Sequence, residues 1–395
     1  MANILLAWEL GAGLGHVANL LPVARGLIER GHTVHLALRD LGTARVFAGL
    51  PVTLWQAPHK NSRPKVAVAE PRTFADILFN CGFGEVSELR ALVSAWRALL
   101  DSVQPALLLA EHSPSALLAA HCAGVKAVML GVGFTCPTPL APLVDLRPWL
   151  RKPLEISWQA ESRVLANTNE LLREYGQPTW PNLGQLFATV RETLLMTCVE
   201  LDPYAPRASA QYYGSFSTWG GKVPAWPEVK GKRIWGYLKP FPALGSLLAM
   251  LVELKQSTLI VSDGIAPELQ KRFARPWLKF ENDRLEMSAV LRDCDFAITN
   301  ANHGTSFALL QHGKPGLYLP LHLEQTRTAH AINQMGAGVA ASVRKPEQVA
   351  LRLMELLHSP RHATTAREVA QRLAKRHGTS GQASMVERVA SHIKD

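Results

Sequence analysis

The sequence predicts an α/β protein of two facing Rossmann-like domains, each built on a parallel sheet, with a cleft between them. Apolar runs of strand length alternate with helix-like segments through the first half of the 395-residue chain. Glycine, proline and tryptophan then interrupt the pattern at 212–235, and the alternation restarts beyond that stretch. A chain of this length holds two or three domains at roughly 150 residues each.

In the first half, strands are predicted at 3–8, 33–38, 106–110 and 127–131, and helices at 17–30, 91–100, 115–123 and 154–172. A proline-rich loop at 134–149 separates the strand at 127–131 from the helix at 154–172. In the second half, strands are predicted at 258–261, 277–280, 296–299 and 316–319, and helices at 247–254, 267–273, 289–291 and 305–312. We therefore expect an N-terminal domain at 1–215, a C-terminal domain at 216–375, and a final helix at 376–395 that packs back on the first domain.

The charge balance limits the class of partner. Lys and Arg number 42 and Asp and Glu 32, a net charge of +10, which suits an anionic ligand or an acidic lipid surface. The densest basic stretch, around Arg372, Lys375 and Arg376, is typical of a solvated helix face. Because no basic patch is interleaved with aromatic residues, we expect no nucleic-acid partner.

The five cysteines are dispersed and form no CxxC pair, so the sequence predicts no disulfide framework and fits a reducing cytoplasm. His358 and His362 are four residues apart, but Pro360 between them spoils a helical metal pair, and we expect no metal. The N-terminus lacks the features of a signal peptide, and no run of about 20 apolar residues predicts a membrane span.

The first candidate motif is the glycine cluster at 11–15, which lies between a strand and a helix and precedes His16. A dinucleotide-binding fingerprint would need glycine at position 16, so the dehydrogenase interpretation is weak, although Asp40 is near the end of the second strand. A histidine at this turn would face the ligand crevice, where imidazole can take a proton from a hydroxyl. The plainer interpretation is a loop or capping histidine.

Glu111 directly follows another predicted strand, on the same sheet edge as His16, so it could accept the other imidazole N–H and orient the ring. His112 competes for either role. Glu111 could also simply begin a loop.

Two further motifs lie in the second half. Residues 295–306 form a strand, a turn of small and polar residues and a helix start, which can bind a pyrophosphate through N–H groups and the helix dipole. Helix capping alone would explain Thr305 and Ser306. A later strand ends before Glu324 and Gln325, whose side chains can bind the vicinal hydroxyls of a hexose.

Together these motifs resemble the family-one nucleotide-sugar glycosyltransferases of GT-B fold, in their bacterial form. The N-terminal signature is matched by Gly15-His16, Pro22 and Arg30-Gly31-His32. The C-terminal signature is matched by Gly304-Thr305, Leu319-Pro320, Glu324-Gln325 and Gly336-Ala337-Gly338, and segments 137–149 and 237–240 also look like bacterial members. The resemblance covers nearly the whole chain.

The resemblance implies a role for each matched residue. His16 is the implied catalytic base and Glu111 its carboxylate partner. The implied donor contacts are Ser262, Asn300, Asn302, His303, Gly304, Thr305, Ser306, Glu324 and Gln325. The acceptor is expected near Gly13, Gly15, His112, Phe134 and Trp149.

Several positions depart from the family pattern. Asn300 replaces the first histidine of the pyrophosphate loop, Ala301 and Asn302 replace its two glycines, and glutamate replaces aspartate at 111 and 324. Residues 280–287 lack the family's usual Pro-Gln, which leaves UDP- and TDP-sugars both open as donors.

The resulting expectation is an inverting, metal-independent hexosyltransferase that needs no cofactor and uses a nucleotide diphosphate sugar as co-substrate. The acceptor is expected to be a small, hydrophobic molecule. A lipid or cell-envelope acceptor with peripheral membrane contact, a sugar-nucleotide epimerase and a catalytically degenerate nucleotide-sugar binder are the alternatives.

Overall fold

A computed structural model of the chain describes residues 1–216, 220–377 and 381–394, which form two compact units. The first unit comprises residues 1–216 and 381–394, and the second comprises residues 220–377. Trp219, which belongs to the predicted linker, lies outside the described residues. Each unit is built on its own parallel sheet, which confirms the predicted α/β class.

The first sheet has seven strands in the order β3-β2-β1-β4-β5-β6-β7. They are β1 (Asn3–Trp8), β2 (Thr33–Leu38), β3 (Val52–Gln56), β4 (Leu107–Glu111), β5 (Ala127–Gly131), β6 (Thr193–Leu195) and β7 (Gln211–Tyr212). The order reverses at β1, whose last residue pairs in register with Glu111 at the end of β4. Because ligands of open parallel sheets bind at such a reversal, beyond the carboxyl ends of the strands, this edge is the expected site.

Helices cover both faces of this sheet. They are α1 (Leu14–Glu29), α2 (Phe74–Leu78), α3 (Val86–Val103), α4 (Pro114–Ala123), α5 (Glu155–Glu174) and α6 (Gln185–Ala188). Strand β1 shows why both faces are covered: alternate residues enter different cores, with Ile4 and Leu6 in the core that contains α1, and Leu5 and Ala7 in the core that contains α3.

The second sheet has six strands in the order β10-β9-β8-β11-β12-β13. They are β8 (Arg233–Leu238), β9 (Ser257–Ser262), β10 (Leu278–Glu281), β11 (Phe296–Thr299), β12 (Gly316–Tyr318) and β13 (Val339–Ala340). Its helices are α7 (Leu244–Leu254), α8 (Pro267–Phe273), α9 (Met287–Asp293), α10 (His303–Gln311), α11 (Leu323–Met335), α12 (Pro346–His358) and α13 (Arg361–His377). The order reverses at β8 and β11, so the loops after these strands form the corresponding edge.

The last helix, α14 (Gly381–Lys394), belongs to the first unit and packs against α1. Met385 and Val389 are buried in the core that contains α1. A Cβ on Gly26 of α1 would lie 2.4 Å from Val386 Cγ1, so the glycine permits this close approach.

Two predictions about the second unit were wrong. The linker was extended to residue 235, but Trp235 is buried in β8, which begins at Arg233 and is the first strand of this unit. Ser262 was expected in the loop directly after the strand predicted at 258–261, and it is instead the last residue of that strand, β9. Strand β8 itself was missed because it lies in a stretch dominated by glycine, proline and tryptophan. None of the helices within the described ranges has the length and apolar character of a membrane span.

Candidate active site

The turn between β1 and α1 positions His16. Gly11 and Gly13 have φ angles of 84° and 91°, a region that glycine adopts without strain. These turns bring the chain from the end of β1 into α1, so that His16 lies in the first turn of the helix and is 8% exposed. Gly15 lies inside the helix, where a Cβ would meet nothing within 4 Å.

His16 and Glu111 are joined by a hydrogen bond of 2.7 Å between Nδ1 and Oε2. Glu111 is fully buried at the end of β4, and Asn19 donates to its other oxygen at 3.4 Å. The indole of Trp8 stacks on the imidazole with ring centroids 5.2 Å apart. The carboxylate and the indole together fix the ring, and a carboxylate that accepts from Nδ1 leaves Nε2 as the basic nitrogen.

Gly11 provides the space for that second nitrogen. A Cβ on Gly11 would lie 2.3 Å from His16 Nε2, a distance that no real contact allows. The glycine therefore has two roles, the positive φ of the turn and the room for the imidazole edge.

His112 follows Glu111 with a φ of 48° and is 6% exposed. Its ring lies 5.7 Å from that of His16 and within 6.4 Å of the rings of Phe74 and Phe134. Burial, and then the nearby His16 and Arg39, hold the pKa of His112 well below its usual value, so the ring is neutral at physiological pH.

Glu9, which sequence reasoning missed, lies on the same edge directly after β1. Its Oε2 accepts from the backbone N–H groups of Ser115 and Ala116 at 3.1 and 3.3 Å, at the start of α4. Burial raises the pKa of Glu9 to about 7. The rule that identified Glu111, a polar residue directly after a buried strand, would have found this carboxylate too.

The proline-rich segment carries the other predicted acceptor contacts. Phe134 is buried in the ring cluster around His112, and Trp149 is half-buried on the turn Pro148–Leu150. Arg72, also missed from the sequence, organises this segment by pairing with Asp145 and donating to the carbonyl of Lys152 at 2.5 Å. The acceptor contact expected of Trp149 stays a prediction.

In the second unit, Asn300 follows β11 and is buried. Its Oδ1 accepts from the backbone N–H of Lys239 at 2.7 Å, and its Nδ2 donates to the carbonyl of Leu319 at 2.9 Å. The side chain thus braces the loops after β8 and β12, and the donor contact expected of Asn300 stays a prediction. Ala301, where the family has glycine, has a φ of 62°, which favours glycine.

Helix α10 begins at His303, two residues earlier than predicted, with Asn302 at its N-cap. Its first turn contains His303, Gly304, Thr305 and Ser306. A Cβ on Gly304 would meet nothing within 4 Å, and the buried Ser306 Oγ has no hydrogen-bond partner among the described residues. A helix start of this kind presents N–H groups and a positive dipole end to an anion.

Gln325 and Glu324 lie in the first turn of α11. The buried Gln325 accepts from the backbone N–H of Leu321 at 2.7 Å and donates to Asn302 Oδ1 at 2.6 Å. Its amide therefore ties α11 to the start of α10, whereas Glu324 is half-exposed. Ser262 accepts from Gln270 Nε2 at 3.0 Å at the end of β9.

The described residues contain no group of three or more His, Cys, Asp or Glu side chains arranged to hold a metal ion. All five cysteines are unpaired.

No family model matches the chain. A PGL/p-HBAD biosynthesis glycosyltransferase of Mycobacterium tuberculosis is 25% identical over 387 residues, covering 91% of this chain and 86% of that protein. Among solved structures, the calicheamicin glycosyltransferase CalG4 has a TM-score of 0.74 at 18% identity and covers 100% of this chain and 98% of its own. The spinosyn rhamnosyltransferase SpnG, complexed with thymidine diphosphate, has a TM-score of 0.66 at 16% identity, with coverage of 99% and 100%.

The fold is therefore that of the GT-B glycosyltransferases, as the motifs indicated. The relatives found by sequence and by structure are glycosyltransferases, which confirms the predicted resemblance and enzyme class.

Proposed function

We propose that this protein transfers a sugar from a nucleoside diphosphate sugar to a hydroxyl of a small-molecule acceptor, with inversion at the anomeric carbon. The observation that carries the proposal is the 2.7 Å hydrogen bond between His16 and the buried Glu111. A helix-cap histidine needs no buried carboxylate behind it, whereas a general base does, because the carboxylate stabilises the imidazolium that forms.

In the proposed reaction, Nε2 of His16 takes the proton of the acceptor hydroxyl as its oxygen attacks the anomeric carbon. The bond between that carbon and the diphosphate oxygen breaks, and its electron pair leaves with the nucleoside diphosphate. One displacement by one nucleophile inverts the configuration. Glu111 keeps Nδ1 protonated and holds the ring in place.

The departing diphosphate gains negative charge, and the first turn of α10 is our candidate for stabilising it. The backbone N–H groups that begin the helix, with Thr305 and Ser306, supply donors and the positive dipole end. These fixed dipoles would stabilise the negative charge that a divalent cation stabilises in other transferases, which supports a metal-independent reaction. Glu324 is the candidate contact for the sugar hydroxyls.

For the donor we favour a thymidine diphosphate sugar, because SpnG binds thymidine diphosphate and shares this fold. A UDP-sugar is the alternative. For the acceptor we favour an apolar small molecule, since the rings of Trp8, Phe74 and Phe134 lie beside those of His16 and His112. The unpaired cysteines fit a cytoplasmic enzyme.

Calorimetric titration with TDP and UDP, followed by assay of TDP-glucose hydrolysis, tests the proposal. We expect one nucleotide to bind and the donor to be hydrolysed slowly, with water as a poor acceptor. Thr305→Val should weaken binding of the nucleotide, whereas the matched variant Thr326→Val, a half-exposed position on α11, should leave it unchanged. Failure of both nucleotides to bind would contradict the proposed function.

A further inference from the structure

His112 is a buried histidine whose hydrogen-bonding capacity is largely unused. Among the residues that the structure describes, neither its Nδ1 nor its Nε2 has a partner at regular hydrogen-bond geometry, and the backbone of Leu10 offers the ring only a weaker interaction. A buried polar atom without a partner destabilises a protein, and the left-handed φ of 48° adds to the strain. A phenylalanine would suit the surrounding rings of Phe74 and Phe134 better, so packing does not account for the imidazole.

The position of the ring links it to His16. The point that a Cβ on Gly11 would occupy lies 2.3 Å from His16 Nε2 and 3.4 Å from His112 Nδ1. The two imidazole edges therefore both face the same point beside the glycine turn.

We propose that His112 binds a second hydrogen-bonding group of the acceptor, adjacent to the hydroxyl that His16 deprotonates. The inference rests on the proposed function and adds a substrate class: apolar or aromatic compounds with two neighbouring hydroxyls, as in a catechol. Neighbouring oxygens are close enough together to reach both imidazole edges at once. A neutral imidazole donates from one nitrogen and accepts at the other, which suits a hydroxyl better than a charged group.

Umbelliferone and esculetin test this assignment, because they share one coumarin ring and esculetin carries a second hydroxyl beside the first. The wild-type protein should prefer esculetin by about tenfold in kcat/KM, the value of one good hydrogen bond. His112→Phe should bring the ratio close to one by raising the KM for esculetin. His112→Asn, which keeps a donor and an acceptor and tolerates the left-handed backbone, should retain the preference.

Thermal unfolding of the same variants separates recognition from a structural role. His112→Phe should melt no lower than the wild type, since it removes two buried atoms without partners. An esculetin preference that persists unchanged in His112→Phe, or in His112→Leu if the first variant fails to fold, would overturn the inference. Failure of the proposed function looks different: the wild type would then transfer sugar neither to the coumarins nor to water.

Discussion

Gly11 lies against the Nε2 edge of His16, so hydrogen is the largest side chain that the site tolerates at this position. We predict that Gly11→Ala lowers kcat at least about 100-fold, because the new methyl group would lie 2.3 Å from His16 Nε2 and displace the ring. Gly49→Ala is the matched control, since it has a φ of 80° and open space around it. Steady-state kinetics of both variants measure the displacement of His16, and denaturation measures the backbone strain that the two alanines share.

Both alanines should lower the free energy of unfolding by about 1–2 kcal/mol, the strain of an alanine in left-handed backbone. Only the Gly11 variant should lose activity. Equal activity in the two variants would contradict the role given to Nε2.

Glu9 makes the stability of the first unit depend on pH. Its pKa is about 7 in the folded protein and near 4.5 when unfolded, so the stabilisation is complete below pH 4.5 and is lost as pH rises through 7. We predict that the free energy of unfolding of Glu9→Gln equals that of the wild type at pH 5. At pH 8 it should be about 3 kcal/mol higher, so the variant is then the more stable protein. Urea denaturation at both pH values, with the exposed Glu29→Gln as control, measures this; a Glu9→Gln variant less stable than the wild type at pH 8 would contradict it.

Single residues show what sequence reasoning can and cannot reach. The proximity of His16 and Glu111 could be predicted, because both follow strands at one edge of a parallel sheet. The bracing roles of Asn300 and Gln325 could not be predicted. The sequence does not show whether an amide next to a candidate loop will bind the backbone or a ligand.

The start of α10 depends on α11 through Gln325. We predict that Gln325→Leu weakens TDP binding about tenfold, because Asn302 and the loop at Leu321 lose their shared partner. If Gln325 instead contacted only the transferred hexose, TDP, which lacks that hexose, would bind the variant as well as the wild type. Titration of both with TDP decides between these roles, with Thr326→Ala as the neighbouring control.

Whether an element could be predicted depended on its burial pattern. Strands β1, β4 and β9 are buried along most of their length and read as continuous apolar runs. The edge strand β3 exposes Thr53, Leu54 and Gln56. Its sequence therefore shows neither an apolar run nor a regular alternation of apolar and polar residues, and the strand was missed. Strand β8 was missed because Gly236, whose Cβ would lie 2.9 Å from Ile260, interrupts its apolar sequence.

At the scale of the whole molecule, the C-terminal residues complete the first unit. We predict that Met385→Asp lowers the free energy of unfolding by several kcal/mol, because it buries a charge between α14 and α1. Ser384→Asp, one residue earlier and exposed, should have little effect. Chemical denaturation compares them, and equal stability of the two variants would contradict the packing of α14.

The two-unit α/β architecture could be predicted from the alternation of strands and helices and from the interruption of that alternation. Each parallel sheet is built from successive strand–helix–strand units, so an interruption marks the change from one sheet to the next. The last helix was expected to pack on the first domain, although an amphipathic segment does not by itself reveal which core will bury its apolar face. Here that face enters the core of the first unit, which also contains β1.

A double-mutant cycle on the single-turnover rate of sugar transfer shows whether His16 and Glu111 act as one catalytic pair. We predict that His16→Ala lowers the rate about 100- to 10,000-fold while TDP binds as before. Glu111→Gln should also slow transfer, and the double variant should be no slower than His16→Ala alone. A His16→Ala rate within about twofold of the wild type, or a further loss from Glu111→Gln in its absence, would contradict the pair.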